Sequence, residues 1–65
     1  MKNEEAEKML DDMKSKLKAV QDILDDFRQI DKSDLKARAE AMKKAVRLQQ
    51  EVAQEIDDFD SMYLR

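Results

Sequence analysis

Cysteine, histidine, glycine, proline and tryptophan are all missing from this chain of 65 residues. With no cysteine, no disulfide staples so short a chain, and its redox compartment leaves no trace in the sequence. The lack of both cysteine and histidine excludes the usual zinc sites, and the lack of glycine excludes a phosphate-cradling loop. Missing histidine also removes the commonest general base, so Ser15, Ser33 and Ser61 have no imidazole to activate them. The run Asp57-Asp58-Phe59-Asp60 gathers acid. A calcium loop, however, needs a glycine-assisted turn and a bidentate Glu at fixed spacing, so the run reads as a solvated helix end. These absences predict a non-enzymatic protein with no cofactor, no metal and no small-molecule substrate. No uncharged run is long enough to cross a membrane, and the opening Met1-Lys2-Asn3-Glu4-Glu5 lacks the apolar core of a signal peptide. A soluble, cytoplasmic protein is the expectation.

Charged residues make up 45% of the chain, a level that suits disorder unless the apolar residues are ordered in sequence. Here they are periodic, and the remainder is rich in Ala, Lys, Glu, Gln, Leu and Met, all good helix formers. The first stripe, on a helix over about residues 4–30, places Leu10, Leu17 and Leu24 at heptad position a and Met13, Val20 and Phe27 at d. Side chains so spaced form one seam that needs a facing helix. Met9, Ile23 and Ile30 at g widen it, and a three-position face serves a bundle in which each helix has two neighbours. Glu4/Lys8 and Asp12/Lys16 are read as solvated i,i+4 pairs on the opposite face.

The second stripe, on a helix over about residues 32–62, has Leu35, Met42, Gln49, Ile56 and Tyr63 at a, with Ala45, Val52 and Phe59 at d. Ala39, Val46 and Ala53 widen it at e, and Leu48 and Met62 fall at g. The alanines of its first half fit close helix approach and plain helix propensity equally well. Gln49 is a polar residue in an apolar row. It either penalises registers that leave its amide unpaired, with its own symmetry mate as one partner, or lies at an edge and bonds water. Arg38, at d, is expected to meet Asp25 and Asp26.

The two stripes do not share a phase, and the break falls at Ile30-Asp31-Lys32-Ser33-Asp34-Leu35. A corner is predicted over residues 30–33, with Asp31 as N-cap of the second helix. Ile30 and Leu35 then stand at the spacing of a hydrophobic staple. The competing reading is one continuous helix with a four-residue stutter near residue 31, since no Gly or Pro enforces a stop.

Charge is banded. Asp22, Asp25 and Asp26 fold beside the basic first half of the second helix, whereas the acidic N-terminal segment meets the acidic C-terminal one at the open end. Stripe width, a core too scarce for so short a chain and this banding together predict an all-α antiparallel hairpin that dimerises into a four-helix bundle. A homodimer with protomers antiparallel relieves the acidic end, and a heteromeric partner with basic helices would serve as well. In length and helix arrangement the chain resembles the two-helix plasmid-copy-number regulators, which dimerise into a four-helix bundle and bind RNA. It also resembles the small hairpin co-chaperones of type III secretion. The resemblance implies a paired hairpin acting through its helices.

Function is accordingly expected to be that of a protein-interaction module (regulatory, adaptor or chaperone-like) acting by helix–helix contacts. The five methionines, Met1, Met9, Met13, Met42 and Met62, suit surfaces that repack, or simply fill gaps in a core. The alternatives are a purely structural coiled coil or designed or excised bundle, and an RNA-binding regulator. For the last, Lys36, Lys43, Lys44 and Arg47 form a polyanion patch. The acidic pI and the lack of aromatics between the basic residues disfavour nucleic acid.

Overall fold

A computed structural model describes residues 3–65 as a two-helix antiparallel hairpin. Met1, one of the five methionines, and Lys2 lie outside the described residues. Helix α1 spans Glu4–Gln29 and helix α2 spans Leu35–Phe59, continued by a π-helical turn over Asp60–Leu64. The hairpin is 52 × 17 × 11 Å between Cα extremes. A continuous helix of this many residues would reach ~100 Å at 1.5 Å per residue, so the chain turns back.

Helix α1 starts where Asn3 Oδ1 accepts from the amides of Glu5 (3.0 Å) and Ala6 (3.2 Å). Its first turn holds Glu4, Glu5 and Glu7 and its last holds Arg28, the polarity that suits a helix dipole. Ile30 ends it by turning extended, at φ −75° and ψ 133°, while its N–H still reaches Phe27 O at 3.2 Å. No described residue has positive φ. The exit therefore needs no glycine.

Asp31 then closes a small turn of its own. Its Oδ1 accepts from the Ser33 N–H at 3.0 Å and from the Ser33 hydroxyl at 2.9 Å, the self-satisfying pattern Asp favours outside helices. The N-cap of α2 is Asp34, whose Oδ1 accepts from Ala37 N at 3.1 Å. This corrects the expected cap at Asp31. The second helix starts at Leu35, three residues later than expected, because Asp31 spends its carboxylate on the turn. Leu35 is then the first helical residue and not the fourth, so no staple with Ile30 forms, and Leu35 stands 73% exposed.

The helices meet through rows d and g. Met13 and Val20 of α1 and Ala45 and Val52 of α2, all in row d, are the buried residues among those described. Phe27 and Phe59 extend the same row, half-buried, and Met9, Ile23 and Ile30 with Ala41 and Leu48 supply the g flanks. On α2 the flank facing α1 is thus g, and the widening row e is left exposed. Arg38 also differs from expectation. Its guanidinium lies 4.7 Å from the centroid of the Phe27 ring, and its Nη1 donates to Lys32 O at 3.3 Å. A cation over an aromatic face is attracted by the ring quadrupole, which holds Arg38 at the corner, and among the described residues Arg38 forms no ion pair with Asp25 or Asp26. Near the open end the Phe59 and Tyr63 rings pack with centroids 5.0 Å apart.

Candidate functional site

Two antiparallel helices that meet through the same heptad rows turn their other like-named rows to a common side. Reversing a helix reverses the sense in which its rows run around the axis, and facing it about restores the match. Since α1 and α2 meet through d and g, row a of both emerges on one broad side. Leu10, Leu17 and Leu24 come from α1, and Met42 and Ile56 from α2, with Val46 of row e alongside. All are exposed, Leu17 at 50%, Val46 at 49% and Ile56 at 53%. Leu35 lies at the corner end of this side, and the exposed Ala39 and Ala53 add small apolar surface in row e. Gln49 interrupts the row near its middle and is exposed.

The opposite side is different in kind. There Ile23 and Leu48 are half-buried between charged residues, with Asp26, Glu40 and Lys44 lining one shallow depression and Lys44, Arg47 and Glu51 another. Charge fences that side, while the row-a side is apolar along most of its length. Large apolar side chains left exposed together on one side suit a surface that a partner covers.

The residues expected to form one seam are thus divided between two surfaces. Met13, Val20, Phe27, Val52 and Phe59 lie between the helices, whereas Leu10, Leu17, Leu24, Leu35, Met42, Val46, Gln49 and Ile56 lie on the open side. The basic residues Lys36, Lys43, Lys44 and Arg47 are all exposed. Of these, Lys44 and Arg47 share their depressions with Asp26, Glu40 and Glu51.

One polar cluster escaped the reading of the sequence. Lys16 was assigned to a solvated pair with Asp12, and the pair does form, at 3.1 Å. Lys16 is also in row g and turns into the seam, where its ammonium bonds the carboxylate of Glu55, a g residue of α2. Glu55 first and Asp12 second raise the Lys16 pKa above its ordinary value. Asp12 in turn is lowered, by the Glu55 side chain first and by Lys16 next. Glu55 Oε2 and the Tyr63 hydroxyl are buried without a hydrogen-bond partner. The available signal was two opposite charges in row g, one on each helix. At the corner, the backbone N–H and hydroxyl of Ser33 lower the pKa of Asp31.

Among the described residues no group of acidic side chains is arranged to hold a metal ion, and no helix is long and apolar enough to cross a membrane. The chain matches no known protein family, no curated protein and no solved structure.

Proposed function

We propose that the chain is a non-enzymatic interaction module that works by receiving helices on the row-a side of its hairpin, completing a four-helix bundle. The observation that carries this reading is the exposure of Leu10, Leu17, Leu24, Met42, Val46 and Ile56 on one side of two helices that already pair through another. Covering a side chain such as Leu17 is worth ~25 cal/mol per Å2 of apolar surface removed from water. A hairpin of this size has little stability of its own to spare. Helix-on-helix docking suits the surface because its apolar residues recur at helical spacing, ready for the ridges of another helix.

The test is affinity capture from the source cell with Leu10→Glu/Leu17→Glu/Leu24→Glu as the paired control. The expected result is a stoichiometric bound chain, either a further copy or another helical protein, that is lost in the variant. The same set of bound proteins on both baits would overturn the reading.

A further inference from the structure

We infer that the occupant of this face is a second copy of the chain, laid antiparallel so that the corner of each hairpin covers the open end of the other. The inference rests on the reading of the row-a side as a docking face and adds the identity and direction of what docks.

Size is the first argument. The broad side of the hairpin measures 52 by 17 Å, on the scale of the ~800 Å2 per partner buried by a standard protein interface. A second hairpin presents a surface of the same length, the same width and the same apolar rows.

Charge fixes the direction. The rim of the face carries Glu7 at the open end of α1 and Arg28 at its corner end. On α2 it carries Lys36 at the corner end and Asp57 at the open end, and all four are exposed. A two-fold axis across the helices lays α1 on α1 and α2 on α2, each reversed. Glu7 of one copy then approaches Arg28 of the other, and Asp57 approaches Lys36. A two-fold axis along the helices would instead lay α1 on α2 with corners together, setting Glu7 beside Asp57 and Arg28 beside Lys36. Among these four residues the first arrangement pairs opposite charges at both ends and the second pairs like charges at both, while the exposed Asp25 beside Arg28 offsets part of the charge at the corner end of α1 in each. Opposed rim charges select the partner's orientation even where each contributes little affinity.

Gln49 supplies the third argument. Leu17 is the middle of the three row-a leucines of α1, and Gln49 lies within a turn of its level on α2. An axis through that level brings Gln49 against its own mate, where each amide can donate to the other's carbonyl. A buried amide pair of this kind rewards one register and penalises the rest.

The experiment is sedimentation of the full chain together with spin-label distances from Lys32→Cys, an exposed corner position in a chain free of other thiols. The expected mass is twice 7.7 kDa. The expected separation of the two labels is roughly 45 Å, from 1.5 Å per residue between Leu17 and the corner taken twice. Leu17→Glu, which sets two carboxylates near the axis, is expected to raise the dissociation constant at least 100-fold. Labels closer than ~25 Å would mean corners together and would overturn the antiparallel arrangement. A helical chain that sediments as a monomer at every concentration would overturn the second copy as occupant. That outcome leaves the wider docking reading to the capture experiment, which scores any bound chain.

Discussion

The ammonium of Lys16 on α1 is bonded to the carboxylate of Glu55 on α2, 39 residues away, in the seam between the helices. It is an ion pair that joins the two helices across their seam. Removing one member strands the other in a partly buried site, whereas replacing both with apolar residues removes the desolvation cost as well. Lys16→Leu and Glu55→Leu are each expected to lower the thermal midpoint. The double variant should recover most of the loss, as read by circular dichroism melts at equal concentration. Additive losses would mean that the two side chains do not act as a pair.

Val20 and Val52 are 6% and 5% exposed, while Leu17 is 50% exposed. Val20→Ala or Val52→Ala should cost about 2 kcal/mol by loss of two methyl groups from a packed seam. In a lone hairpin Leu17→Ala would cost under ~0.5 kcal/mol, the usual range for a surface change. Inside a completed bundle it should cost roughly 2–5 kcal/mol. The larger value is expected in urea unfolding, together with a midpoint that rises with protein concentration.

The N-cap of α2 gives a sharper local test. Asp34→Ala should cost about 1 kcal/mol, the usual penalty for losing a capping carboxylate. It should also expose the Ala37 amide, which Asp34 accepts at 3.1 Å, to faster hydrogen exchange. Asp31→Ala should loosen the Ser33 amide and leave Ala37 protected. Equal effects on Ala37 from both variants would contradict the assignment of Asp34 as the cap.

Acid and alkali should each weaken the fold, for different groups. Asp12 and Asp31 are lowered below their ordinary value of 3.8. Their contribution is complete above that pH and is lost as pH falls through their folded values. Lys16 is raised above 10.5, so its contribution is complete below that pH and is lost as alkali strips the ammonium. Stability measured by urea titration should therefore be level across neutral pH, falling below about 4 and above about 10.5. The alkaline fall should disappear in Lys16→Leu/Glu55→Leu.

Lys44 and Arg47 share their surroundings with Asp26, Glu40 and Glu51, and Lys36 lies at the rim of the apolar face. The chain should leave a heparin column at low salt, and Lys43→Gln/Arg47→Gln should shift that point little. A steep salt dependence, close to one unit of slope per basic residue involved, would instead favour the polyanion reading of these residues.

Much of the fold was legible in the chain. The break in phase between Phe27 and Leu35 marks the reversal of direction, and the periodic apolar rows mark both helices. The start of α2 was misplaced because Asp31 and Asp34 are each able to accept from a nearby amide, and only the folded turn decides which does. The division of the stripe was hidden for a geometric reason. Rows g, d and a together span about a third of the helix surface, so either half can meet the sibling helix while the other is left over. Lys16 and Glu55, read together, point to the g side; taken singly, each passes for a solvated charge.

The corner bends without any residue in the left-handed region, so its shape imposes no stereochemical toll on whatever side chains occupy it. The exposed Lys32 is free to drift among ordinary L-amino acids, and selection on the bend falls on the two aspartates whose oxygens hold it. A relative of this chain should be recognisable by that acid spacing of three, long after its apolar residues have been exchanged for others of like size.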